Sequence, residues 1–157
     1  MKKFTTLFLV LGCLIGFNSS VFGTVYLVEN GSGGNSWRTA GAGETNINLN
    51  TLGQTITAWL TGKTFSAGDQ VWLAKGTYNV TTAYAIPNSN LAGIYGGFTG
   101  SETNTTRAKG ANVWDYTNET IIDGGNNAIN LFTETNNYTI VIDGLTVTHF
   151  GGTSTVS

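Results

Sequence analysis

Two carboxylates recur in this sequence at a spacing that could do chemistry. Ile122-Asp123-Gly124 returns as Ile142-Asp143-Gly144, 142 − 122 = 20 residues later. If the two copies stack as neighbouring strands, Asp123 and Asp143 stand about 4.8 Å apart. Like charges that close favour a bound cation or one raised pKa. Calcium takes oxygen ligands of this kind, so Asp123 and Asp143 are the candidate calcium ligands. A calcium site needs about six to eight oxygens, however, and this pair supplies only part of a set. The plainer alternative is that Asp before Gly is common turn chemistry, the carboxylate capping nearby backbone N–H groups.

The other chemically capable residues are sparse. His149 is the only histidine and closes an alternating stretch, Leu145-Thr146-Val147-Thr148, with no serine, cysteine or ligand-type partner at useful spacing. It is expected to be structural. The basic residues beyond the N-terminus are Arg38, Lys63, Lys75, Arg107 and Lys109, none near Asp123 or Asp143 in sequence. Arg107 is instead expected to pair with Glu102 on the surface, a contact worth about 0–1 kcal/mol. Tyr95, Phe98, Trp114 and Tyr116 could form a carbohydrate-stacking surface, or serve as local packing, since large aromatics mainly supply buried area. No catalytic residue is assigned, and no cofactor other than calcium is suggested.

These residues need elements to hold them, and the composition favours strands. The chain has 157 residues, among them 22 Gly, 26 Thr and 17 Asn, with one Pro. Weak helix formers in that proportion suit short strands joined by tight turns. Strands are predicted over residues 24–29, 71–74, 91–98, 120–122, 128–132, 139–142 and 145–148. Turns are predicted at Gly68-Asp69, at both Asp-Gly pairs, and at Asn126-Asn127 and Asn136-Asn137. Residues 41–50 read as loop, and residues 99–114 as a polar surface excursion. One helix is predicted over residues 50–60, with Thr51-x-x-Gln54 at capping-box spacing, an apolar face of Leu52, Ile56, Trp59 and Leu60, and Gly62 past its end. Trp37 is expected to pin the glycine-rich loop before it. Such a helix has a physical role: it covers the end of a strand stack, where apolar side chains and unpaired edges would meet water.

Residues 1–23 form a separate unit, a predicted secretory signal with basic Lys2-Lys3, an apolar run from Phe4 to Phe17 and small residues at the end. A lipid-modified Cys13 is the alternative form of export, although the apolar run continues past it. Cleavage after Gly23 leaves 5 basic and 9 acidic residues, a formal charge of 5 − 9 = −4. That balance argues against nucleic acid as a partner, and no later segment has the length of a membrane-spanning helix. With its lone cysteine in the signal, the mature fold depends on packing rather than disulfides.

Self-similarity at a period of about 20 to 50 residues marks stacked-coil architectures. Ser36-Trp37, the capped helix, Gly68-Asp69-x-Val71-Trp72, Lys75-Gly76-Thr77-Tyr78, Ile94-Tyr95-Gly96-Gly97-Phe98-x-Gly100-x-Glu102-Thr103 and the Ile-Asp-Gly copies resemble the N-terminal part of secreted right-handed parallel β-helix proteins. These proteins belong to the pectin-lyase-like group and are common in Bacteroidetes-type bacteria. The resemblance implies an all-β fold: a right-handed parallel β-helix with a short N-terminal capping helix, residues 24–67 forming the cap and 68–157 the first coils. Family members run longer, so the chain is expected to be a fragment ending after about three coils. Their acidic calcium ligands or catalytic carboxylates lie with Arg or Lys on middle coils. The asparagine-threonine-aspartate, paired-aspartate and glycine-histidine-glycine motifs of the related polygalacturonases have no counterpart here. The expectation is a non-catalytic secreted or cell-surface module, adhesin-like or contacting a surface polysaccharide, and self-associating through its uncapped last coil. The alternative is the N-terminal part of a polysaccharide lyase or glycoside hydrolase.

Overall fold

A computed structural model describes residues 23–31, 36–85, 90–112, 115–133 and 139–151. The predicted signal segment, its Cys13, Trp114 and the Asn136-Asn137 pair lie outside the described residues. Strands dominate, and every pairing between named strands is parallel. Among the described residues, no helix is long and apolar enough to cross a membrane.

The chain opens with β1 (Val25–Glu29) and β2 (Glu44–Asn48), followed by helices α1 (Leu49–Leu52) and α2 (Ile56–Gly62). Then come β3 (Asp69–Ala74), β4 (Gly76–Asn79), β5 (Tyr84–Ala85), β6 (Leu91–Phe98), β7 (Thr120–Asn127), β8 (Phe132–Thr133), β9 (Val141–Asp143) and β10 (Thr146–Phe150). The largest sheet has the order β2-β1-β3-β6-β9, a second has β10-β7-β4, and β5 pairs with β8. Consecutive strands β3, β4 and β5 thus fall in three different sheets, and β6, β7 and β8 return to the same three in the same order.

Period-two alternation gives the large sheet two buried faces. Tyr26 and Val28 of β1, and Val71 and Leu73 of β3, enter the main core with Ile94, Ile122, Tyr78 and Tyr84. Leu27, Trp72 and Ala74 point the other way and join Trp37 and Phe98 in a second cluster. There the Trp72 and Phe98 rings stack with centroids 5.0 Å apart. Trp37 fills the role expected of it, its Nε1 donating to the Val28 carbonyl at 2.9 Å. Asp69, predicted in a turn, starts β3 with its carboxylate buried, accepting from the Thr24 and Ser66 backbone N–H groups at 2.7 and 2.8 Å.

Several local expectations are corrected. The single helix is two, because Gly53 takes a left-handed conformation (φ 64°) and ends α1. The caps are Asn48, accepting from Thr51 N–H, and Thr55, accepting from Ala58 N–H; Thr51 does not cap Gln54. Leu52 consequently lies exposed, off the apolar face that buries Ile56, Trp59 and Leu60. Residues 44–48 are a strand rather than loop, because β1 offers a parallel edge that Thr45 and Ile47 can match. The strand expected over 128–132 shrinks to the two residues of β8, while β7 runs on through Asp123-Gly124 and Asn126-Asn127, where turns were expected.

The Ile-Asp-Gly copies do not stack on one another. Ile122 lies on β7, paired with Tyr78 and Val147, whereas Ile142 lies on β9 in a different sheet, paired with Ile94. The true register steps are Val71 to Ile94, 94 − 71 = 23 residues, and Ile122 to Val147, 147 − 122 = 25 residues. The tripeptide repeats for local reasons. Gly124 is part of a strand, while Gly144 (φ 73°) makes the corner between β9 and β10.

Candidate functional site

The excursion between β6 and β7 folds back along the outer face of the large sheet and brings Arg107 to Asp143. Across that face the register runs Leu27, Trp72, Tyr95, Asp143. A carboxylate therefore follows directly on an apolar ladder, and Arg107 fits both. Its guanidinium lies 5.7, 5.2 and 4.3 Å from the ring centroids of Tyr95, Phe98 and Tyr116, within cation–π range. Its Nη1 donates to the Gly96 carbonyl at 2.6 Å and its Nη2 to Asp143 Oδ2 at 2.5 Å. Tyr116 Oη also donates to Asp143 Oδ2, at 2.8 Å. Burial raises the Asp143 pKa, but these two hydrogen bonds and the charges of Arg107 and Lys109 outweigh it, leaving the carboxyl below its ordinary range. Glycine at 144 is required here twice over. Its φ is positive, and a Cβ would lie 2.6 Å from the Gly96 carbonyl oxygen and 2.8 Å from Arg107 Nη1.

Beside this latch an open groove of about 780 Å³ is lined by Lys109, Asp115, Tyr116, Glu119 and Asp143, together with the apolar Ile142, Leu145 and Val147. Lys109 Nζ sits 3.4 Å from the Tyr116 ring centroid. That volume falls in the range of about 300–1,000 Å³ typical of small-ligand sites. With Arg107 almost buried and committed to Asp143, the groove presents Lys109 against Asp115, Glu119 and the second oxygen of Asp143. Such a wall supplies hydrogen-bond acceptors for hydroxyl or ammonium groups and repels anions.

Of the four aromatics read as a carbohydrate surface, Tyr116 lines the groove. Phe98 is fully buried, Tyr95 packs on the Trp72 cluster, and Trp114 lies outside the described residues. Glu102 does not pair with Arg107. Its carboxylate gathers the backbone N–H groups of Thr99, Gly100 and Ser101, while its carbonyl accepts from Arg38 Nε. Although burial alone would raise its pKa, hydrogen bonds from the Thr99 N–H, the Glu102 N–H, the Thr99 hydroxyl and the Gly100 N–H hold the Glu102 carboxyl below the ordinary value.

Asp123 and Asp143 stand in different sheets, not on neighbouring strands, so they do not form the paired calcium ligands that stacking would give. Asp143 spends one oxygen on a guanidinium and a phenol, and Asp123 spends one on the Gly125 N–H and on His149 Nδ1, at 2.8 and 3.1 Å. The Gly125 N–H first, and His149 second, lower the Asp123 pKa. Among the described residues no three His, Cys, Asp or Glu side chains gather as a metal-ligand group. Donor sets already engaged in this way do not fit calcium. Both partnerships were missed in the sequence because Arg107 and Asp143 are 36 residues apart, and Asp123 and His149 are 26 apart. No protein-family model matches the chain, and neither a curated protein nor a solved structure matches it.

Proposed function

We propose that this chain is a module of an exported, right-handed parallel β-helix protein that contacts carbohydrate at a cell surface and does not itself catalyse a reaction. The observation that carries the reading is the return of β6, β7 and β8 to the sheets of β3, β4 and β5, with β9 and β10 following into the first two. A chain that visits the same three parallel sheets in order is winding, and parallel crossovers are right-handed in nearly all cases. α2 supports a capping role, since Ile56, Trp59 and Leu60 enter the same core as Tyr26 and Tyr78. The Lys2-Lys3 and apolar pattern at the N-terminus supports export.

The groove supports contact rather than turnover. Arg107, the cation paired with Asp143, is held by four acceptors and aromatic faces, so it is not free to act on a bound sugar. The acidic wall favours neutral or amino sugars over polyuronates. Affinity electrophoresis through gels carrying a neutral glucan, chitosan or polygalacturonate tests this. Retardation by the first two and not by the third, weakened by Glu119→Gln, is expected. No retardation by any polysaccharide refutes the carbohydrate reading, and release of unsaturated uronate from the third substrate would favour the lyase alternative.

A further inference from the structure

Asp69 is the one fully buried acidic side chain among the described residues, at 1% exposure. Buried charges are ordinarily paired with a cation, because an unpaired one is costly to take out of water. Asp69 has no such partner among the described residues. Its Oδ2 accepts from the Ser66 N–H at 2.8 Å and from Tyr26 Oη at 3.5 Å, and its Oδ1 accepts from the Thr24 backbone nitrogen at 2.7 Å. Lys63 lies over the Tyr26 ring, 4.5 Å from its centroid, and forms no ion pair with the carboxylate.

The Thr24 nitrogen is held in place by the chain that follows it. The Thr24 carbonyl accepts from the Gln70 N–H at 2.9 Å and the Val25 N–H donates to the Gly43 carbonyl at 2.9 Å, where β1 begins between β2 and β3. On the other side there is no room. A Cβ on Gly23 would fall 2.0 Å from the Gly68 carbonyl carbon and 2.1 Å from the Asp69 nitrogen, so glycine alone passes this point without a shift. The bond between Gly23 and Thr24 is also where the predicted secretory signal ends. Hydrolysis by a signal peptidase adds water across that amide and leaves a carboxylate on Gly23 and an amine on Thr24, which is mostly protonated at neutral pH.

We propose that Asp69 is the docking site of the mature N-terminus: cleavage between Gly23 and Thr24 turns a neutral hydrogen bond into a buried ion pair and completes the fold at the start of β1. The 2.7 Å separation already suits an ammonium and a carboxylate, whose hydrogen bonds are about 2.7–2.9 Å long and roughly twice as strong as neutral ones. The Val25 N–H is spent on Gly43, so a cut one residue later would leave the charge away from the carboxylate. The site rests on the export reading and is independent of carbohydrate binding.

The test uses the full-length gene in an exporting bacterial host and the chain purified after export. Its N-terminal sequence should begin at Thr24. Reductive methylation of the α-amine, read by mass spectrometry of the N-terminal peptide, should run at least about ten-fold slower in the native protein than in urea, because a carboxylate in contact holds the amine protonated by that factor or more. Asp69→Asn should lose this protection. A second chain that retains Gly23, made without the signal, keeps the Thr24 N–H bond to Asp69 but moves the charge one residue away, so it should unfold at a lower urea concentration. That comparison carries the test if Asp69→Asn fails to fold. Exported protein that begins at another residue overturns the proposal and leaves export standing, whereas the absence of any processed product takes the export reading down with it. Protection that persists in Asp69→Asn would mean that burial alone shields the amine, and equal urea midpoints with and without Gly23 would mean that the charge adds nothing; either result overturns the proposal.

Discussion

Placing an aspartate at Ile122 and at Ile142 in turn asks the same chemical question at two copies of one tripeptide. The sequence repeat treats these positions as equivalent; the strand pairing does not. Ile122 is 2% exposed, between Tyr78 and Val147 on a central strand. A carboxylate there forfeits about 1.5–3 kcal/mol of side-chain burial. It also leaves an uncompensated buried charge, and the loss of a partner in such settings costs about 3–5 kcal/mol. Domains of this size have about 5–15 kcal/mol in total, so Ile122→Asp should leave little folded protein. Ile142 is 42% exposed on an edge strand, where a carboxylate reaches water. Its loss is partial burial alone, under about 1.5 kcal/mol. Urea denaturation followed by tryptophan fluorescence is suitable, since Trp37, Trp59 and Trp72 are all buried. The lowest workable concentration keeps association from adding to apparent stability. Should Ile122→Asp not accumulate, Ile122→Val still reads the site, at about 0.5–1.5 kcal/mol. Equal midpoints for the two aspartate variants, or a larger loss at Ile142, would refute the register and restore the stacking of the two copies.

The Arg107–Asp143 latch predicts acid sensitivity with a definite sign. Because the folded Asp143 pKa is lowered, its stabilisation is present above the unfolded carboxylate value of about 3.9 and is lost as pH falls through the folded one. Thermal melts should therefore fall more steeply below about pH 4 for the parent than for Asp143→Asn, which should itself lose about 1 kcal/mol near neutrality, discounted for the exposure of the carboxylate. Gly144→Ala should cost at least about 1–2 kcal/mol for its left-handed backbone and more for the contact with Gly96 and Arg107, whereas Gly43→Ala, with φ 76° and open space around it, should cost the backbone term alone. Differential scanning calorimetry on the pair separates the two. Tyr84 has a buried hydroxyl without a hydrogen-bond partner among the described residues, and burial pushes its pKa up to about 12. Removing an unsatisfied group recovers about 1–3 kcal/mol, so Tyr84→Phe should melt at or above the parent, and a clear loss would mean the hydroxyl has a partner.

What the sequence made legible was whatever is decided within one strand. The alternation in residues 71–74 and the continuous run of residues 91–98 specify β3 and β6 because burial on one or two faces leaves its period in the chain. Trp37 could be assigned to packing because a large ring in a glycine-rich loop has little else to do. β2 was not legible: Glu-Thr-Asn-Ile-Asn has weak strand propensity, and it pairs because β1 presents an edge. The helix was read as one because Leu52, Ile56, Trp59 and Leu60 share a helical face on paper. Asn48 and Thr55 both outcompete Thr51 as caps, and a left-handed Gly53 then rotates Leu52 off that face. The repeat was misread for a related reason. β-Branched residues before Asp-Gly serve a continuing strand at residues 122–124 and a corner at residues 142–144, so a matching tripeptide reports neither one conformation nor a shared place in the sheets.

The same distinction explains why the site was the least legible part. Residues 99–119 carry too many Thr, Asn and Gly to look like anything but a solvated loop, yet the large sheet could not do without them. Its outer row, Leu27, Trp72 and Tyr95, is as apolar as its inner one, and a sheet face of that kind needs cover. Trp37 covers the Trp72 end. The excursion covers the rest by laying Arg107 across Tyr95 and Phe98 and bringing Tyr116 in beside it. A guanidinium is suited to this because its face lies on aromatic rings while its edge still donates in plane. Asp143 then follows from the register. It occupies the next place in the outer row, where the apolar ladder ends and the Arg107 edge needs an acceptor. The groove beside it is bounded on one side by that latch and on the other by the open edge of β10, so the residues that shape it are first of all those that finish the packing of the sheet.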